Sequence, residues 1–95
     1  MENELFQLDV EDHTELTKLQ CQGNELESLN ASGCKKLYNL NCSQNAMAQL
    51  NISGCEALRY ITCGKNLLKT MDVSGCPWVK VYCDEQVTIM GSKYN

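Results

Sequence analysis

Residues 40–55, LNCSQNAMAQLNISGC, carry a phrase that the chain repeats as LQCQGNELESLNASGC at residues 19–34 and as ITCGKNLLKTMDVSGC at residues 61–76. The copies stand 21 residues apart. At that offset the columns read Leu16, Leu37, Leu58; Leu19, Leu40, Ile61; Cys21, Cys42, Cys63; Asn24, Asn45, Asn66; Leu26, Met47, Leu68; Leu29, Leu50, Met71; and Ala31, Ile52, Val73. Each copy closes on Ser-Gly-Cys at Cys34, Cys55 and Cys76. A period of this length is the mark of a solenoid, in which no unit can bury its own apolar face and every unit depends on its neighbours.

Each copy divides again. The pattern L-x-x-L-x-C-x-x-N is followed by L-x-x-L-x-[A/I/V]-x-x-C, so one 21-residue coil holds two similar halves. Their cores alternate inward and outward with the period of a strand, while Gly and Asn supply the bends. The expectation is a mainly β solenoid with a parallel sheet on one face, built from the L-x-C strands, and shorter, less regular extended segments on the other. Little or no helix is expected.

The domain is single, spanning residues 1–95, with complete repeats at 16–36, 37–57 and 58–78. Residues 1–15 form an amino-terminal capping half-coil: Asn3, Leu5, Leu8 and Val10 fall on the repeat's columns, but Asp12 and His13 replace Gly-Cys. Their charges would protect the open end of the stack from edge-to-edge pairing. Residues 79–95 form a last unit, one residue short, in which CPWVKVYC turns Val79, Val81 and Cys83 inward and QVTIMG offers a closing strand.

The pattern L-x-x-L-x-C-x-x-N-x-L resembles the leucine-rich-repeat signature, and the nested 21-residue form is similar to short bacterial leucine-rich repeats. The likeness covers residues 16–83 fully and 3–15 in part. It implies a right-handed superhelix and binding of protein or glycan through the sheet face. It also implies that Asn24, Asn45 and Asn66 form an asparagine ladder, whose amides bond backbone groups left unpaired at the turns. The Cys in the Asn or Leu slot of the second half and the shortened last unit depart from the pattern.

Seven cysteines raise the question of chemistry. Their spacings of 13, 8, 13, 8, 13 and 7 contain no C-x-x-C, and His13 is the only histidine, so no metal or other cofactor is expected. Stacking the coils is the one route by which several thiols could meet. Disulfides fit poorly, because the count is odd and stacked neighbours hold their Cβ atoms ~4.8 Å apart where a bridge wants ~3.8 Å. The cysteines read instead as two columns of small buried hydrophobes, with Cys83 the most reactive thiol. Reduced thiols lean towards a cytoplasmic setting. The start MENELFQLDV has no basic stretch, long apolar run or cleavage motif, so no secretion signal is expected there. The sequons at residues 30–32, 41–43 and 51–53 read as by-products of the repeat.

Function has to lie on the surface, because no nucleophile, paired-carboxylate or phosphate-cradling motif is present and His13 lacks a partner in any such motif; an enzyme is not expected. The net charge is −4, and Glu2, Glu4, Asp9, Glu11, Asp12 and Glu15 all precede the first basic residue, Lys18, which opposes nucleic-acid binding. Apolar residues make up 43% and charged ones 21%, with no run long enough for a membrane span. The outward positions of the L-x-C strands bring Lys18, Gln20, Tyr38, Asn39, Asn41, Arg59, Tyr60, Thr62, Lys80 and Tyr82 to one face. Tyr and Arg are enriched at interface hot spots, so the expected partner is a protein. Glycan binding on the same Tyr/Asn-rich face, and a structural fragment of a longer repeat protein, are the alternatives.

Overall fold

A computed structural model describes residues 6–91. Nine three-residue strands follow one another: β1 (Gln7–Asp9), β2 (Lys18–Gln20), β3 (Ser28–Asn30), β4 (Asn39–Asn41), β5 (Gln49–Asn51), β6 (Tyr60–Thr62), β7 (Thr70–Asp72), β8 (Lys80–Tyr82) and β9 (Thr88–Met90). All pairing is parallel and links each strand to its equivalent one coil away. The molecule is a β-solenoid of about four turns with a spacing of about 21 residues, and no helix occurs among the described residues. Asn3 and Leu5 of the expected cap lie outside those residues. Its remaining part supplies β1, which pairs with β3.

The even-numbered strands form one continuous sheet in the order β2-β4-β6-β8. The other face differs from expectation. Its strands are as long as those of the first face, but they split into β1-β3-β5 and β7-β9, with no ladder joining β5 to β7. Leu50, at the centre of β5, is only half-buried, whereas Leu29 and Met71 in the same column are buried. Gly33 and Gly54 hold positive φ angles of 77° and 79°, a conformation that Gly75 does not share. The turn of the third coil thus departs from its neighbours where the second face opens. A cavity of about 210 Å³ lies in the break, lined by Leu50, Asn51, Ile52, Ser53, Asp72, Ser74 and Gly75.

The slab is 14 Å across its thinnest axis, room for one layer of side chains between the faces. Leu26, Leu29, Leu37, Leu40, Met47, Leu58, Ile61 and Leu68 fill it, together with Cys21, Cys34, Cys42, Cys55, Cys63 and Cys76. All seven cysteines are free thiols, and six of them are buried. A chain this slim benefits from cysteine, because a larger side chain at each of those columns would overpack the layer.

Polar ladders satisfy the bends. Asn45 donates from Nδ2 to the Cys21 carbonyl at 3.0 Å and accepts at Oδ1 from the Leu26 N–H at 3.0 Å. Asn66 repeats both bonds one coil on, to the Cys42 carbonyl at 3.0 Å and from the Met47 N–H at 2.9 Å. The second-half cysteines occupy the same place in their half-unit and do the same work. Cys34 Sγ donates to the Val10 carbonyl at 3.2 Å, Cys55 Sγ to that of Ala31 at 3.0 Å, and Cys76 Sγ to that of Ile52 at 3.7 Å. Each of these bonds spans 24 residues, as the asparagine bonds to Cys21 and Cys42 do. The thiol is therefore a hydrogen-bonding rung as well as an apolar filler, and the longest of the three bonds sits beside the break in the second face.

Candidate binding face

The four-stranded sheet sets its outward side chains in two rows. Register pairs Lys18 with Asn39, Asn39 with Tyr60 and Tyr60 with Lys80 in one row. Gln20, Asn41, Thr62 and Tyr82 make the other. Leu40 and Ile61 between the rows point inward and are fully buried, as alternation requires. Tyr38 and Arg59 stand on successive rungs at the strand entrances: the Tyr38 carbonyl accepts from the Arg59 N–H at 3.0 Å and from the Tyr60 N–H at 3.1 Å. Eight of the ten residues singled out in the sequence occupy the outward positions of this sheet, and Tyr38 and Arg59 are exposed at the entrances to β4 and β6.

They are not equivalent. Tyr38, Tyr60 and Tyr82 expose 43%, 43% and 56% of their surface, the most open aromatic area on this face. Asn39, Asn41 and Thr62 are half-buried between neighbouring strands. Asn41 is also committed to the turn that follows, since its Oδ1 accepts from the Ser43 N–H at 3.2 Å and from Ser43 Oγ at 2.9 Å. Its amide N–H groups are what it can offer a ligand.

Where the strands run out, the sheet's edge holds an open cleft of about 500 Å³, lined by Ser43, Gln44, Thr62, Gly64, Lys65, Val81, Tyr82 and Cys83. Two of its walls are turns with positive φ, 59° at Gln44 and 59° at Lys65, in the column that Gly23 occupies with a φ of 75°. Non-glycine residues pay for that conformation. Here backbone bonds hold it: the Gln44 N–H meets the Gly64 carbonyl at 2.9 Å, and the Lys65 N–H meets the Asp84 carboxylate at 3.0 Å and 2.9 Å. Asp84, in the coil of β8, bonds the Lys65 N–H through its side chain, whereas the Gln44 N–H is met by a backbone carbonyl. The bond from the Lys65 N–H holds the Asp84 carboxyl below the usual carboxylate range.

Cys83 is the only cysteine of the seven that is half-exposed, and it faces this cleft. Burial pushes its thiol up and the neighbouring Asp84 carboxylate acts the same way, while a hydrogen bond from the Cys63 thiol pulls it back. Cys63 lies one coil inward, fully buried, with its thiol pushed up to about 12 by burial.

The chain matches no family model, no curated protein and no solved structure. The cleft is what sequence reading missed. Of its lining, Thr62 and Tyr82 are among the expected site residues, Ser43 and Lys65 follow them on the same expected face, and Cys83 was the thiol expected to be most reactive. Gln44, Gly64 and Val81 carry no signal, because the cleft arises from how two turns and a shortened coil meet. Trp78, 53% exposed in the Cys76–Val79 turn that leads into β8, also escaped that reading. Its being the sole tryptophan was the available clue. No group of three or more His, Cys, Asp or Glu side chains suited to a metal ion occurs among the described residues.

Proposed function

We propose that the protein is a non-enzymatic binding module of the leucine-rich-repeat kind that presents its continuous four-stranded sheet to a protein partner. The observation that carries this reading is the in-register face on which Tyr60 and Tyr82 stand half-exposed among Lys18 and Lys80, with Tyr38 and Arg59 exposed at the strand entrances. Tyrosine rings offer a large rigid contact area with a polar tip, and cations between them supply orientation and charge selectivity. The 21-residue period, the stacked parallel strands and the asparagine ladder support the family reading. With the acidic residues gathered at the amino-terminal cap, the basic face favours an acidic protein surface over nucleic acid, and neither membrane nor cofactor enters the proposal. Reduced, buried thiols favour a cytoplasmic setting.

Quantitative capture with wild-type protein, the pair Arg59→Ala with Tyr60→Ala, and a pair on the opposite face, Lys69→Ala with Thr70→Ala, tests this. One partner held by wild type and by the opposite-face variant, and lost from the first pair while its melt is unchanged, supports the reading. A partner that both variants retain, or that only the opposite-face variant loses, sinks it. One observation favours a glycan as a second reading: the hydroxyl-bearing Ser43 and Thr62, the amide-bearing Gln44 and the aromatic Tyr82 line one cleft. Binding to a glycan array that disappears on Tyr82→Ala would decide for that reading.

A further inference from the structure

The thiols of Cys21, Cys42, Cys63 and Cys83 form one column through the core, each a coil from the next, because register places Thr62 beside Tyr82 and so Cys63 beside Cys83. At three levels the column is closed by packing. At its last step it opens, since Cys83 is half-buried in the edge cleft and Cys63 stands one coil behind it, fully buried. We propose that Cys63 and Cys83 form a two-coordinate site for a soft monovalent d10 cation of the Cu(I) class, entered through the cleft.

Spacing selects this chemistry over the others open to a thiol pair. In-register neighbours on adjacent parallel strands stand ~4.8 Å apart. A disulfide would have to draw the Cβ atoms in to ~3.8 Å against the sheet's own hydrogen bonds. Two metal–sulfur bonds of ~2.3 Å laid end to end span ~4.6 Å, so a collinear S–M–S unit fits with the backbone in place. Zinc requires four ligands, and no group of three or more His, Cys, Asp or Glu side chains placed to hold a metal ion occurs among the described residues. Soft thiolates select copper(I) among the biological cations that accept so few ligands. The other cysteine column is unsuited, because Cys34, Cys55 and Cys76 spend their S–H groups on backbone carbonyls.

Binding is an exchange without redox change: two Cys S–H groups and one M⁺ give one S–M–S unit of charge −1 and two protons released to solvent. The ammonium of Lys65, on the wall of the same cleft, offsets that charge. Because access runs through Cys83, the ion meets this sulfur first and then displaces the proton of Cys63.

The test uses the reduced chain, handled anaerobically, with Cu(I) delivered as the complex of a chromophoric chelator. Seven free thiols before loading, one equivalent of Cu(I) taken from the chelator, ultraviolet thiolate-to-metal absorption and loss of the rapid native alkylation of Cys83 are the expected results. Cys83→Ala should lower affinity at least 100-fold with an unchanged melt, and Lys65→Ala should lower it less. Cys63→Ala, which empties a core position, is read only alongside Cys83→Ser, which keeps the volume and removes the soft donor. Failure to compete with the chelator, unchanged affinity in Cys83→Ala and Cys83→Ser, or a starting count of five thiols with Cys63 and Cys83 bridged would each overturn the proposal.

Discussion

Raising the pH should unfold this protein at an alkalinity most domains tolerate. Burial pushes the thiol of Cys55 up to about 11 and those of Cys63 and Cys76 up to about 12, and it raises that of Cys42 as well. In the unfolded chain the same thiols ionise near ~8.5 to 9. The folded state therefore holds protons that the unfolded state releases, and stability falls as pH rises above the unfolded value. It is whole below about pH 8.5, and the loss continues up to the folded values. Each thiol contributes roughly 1.4 kcal/mol per pH unit in that window, so four cost about 5 kcal/mol between about pH 9 and about pH 10. A chain of 95 residues has roughly 5 to 14 kcal/mol to lose. Urea unfolding followed by far-ultraviolet circular dichroism, in a non-thiol reductant, should show a constant m-value and a midpoint that collapses near about pH 10. Cys55→Ala, measured across the same range, should flatten the slope by one thiol's share. A stability that stays level from about pH 8 to about pH 10, or a slope corresponding to one proton, would refute the reasoning.

Four mutations probe the ladders, the layer between the faces and one turn. Asn66→Ala takes the bonding amide from the buried Met47 N–H and Cys63 carbonyl and should cost ~2 to 5 kcal/mol, whereas Asn24→Ala, at an exposed position that water can reach, should cost under about 1 kcal/mol; equal midpoints in urea would contradict this. Leu40→Ala, in a fully buried column of the second complete coil, should cost ~2 to 5 kcal/mol, enough to leave a four-coil solenoid mostly unfolded in a thermal melt. Gln44→Gly relieves a positive φ of 59° and should raise the melting temperature by a few degrees, about 1 kcal/mol, and a lowered one would show that the Gln44 side chain matters more than its backbone.

What the sequence made legible is what repeats. Leu19, Leu40 and Ile61 announce a column because three copies share a register, and an alternating core between turn residues leaves a strand as the economical solution. The face was legible for the same reason: once Leu40 points inward, Asn39 and Asn41 must point outward. Contacts between coils were less accessible. That the Cys55 thiol serves as the counterpart of the Asn66 amide depends on the Ala31 carbonyl lying 3.0 Å away, a distance set by stacking and not by residue type. The break between β5 and β7 leaves no trace in composition, since Leu50 and Met71 both suit their column and the difference lies in the backbone of the Gly75 turn. The edge cleft lies where the coil of β8, one residue short, meets the turns before it, and there the Asp84 side chain bonds the Lys65 N–H.

Cysteine labelling by mass spectrometry, native and then denatured, tests the central claim that this is a solenoid built around buried, reduced thiol columns. The prediction is rapid native alkylation of Cys83, slow alkylation of Cys21, Cys34, Cys42, Cys55, Cys63 and Cys76, and all seven labelled once the chain is unfolded. Rapid native labelling of Cys42 or Cys55, or a denatured count below seven, would contradict it.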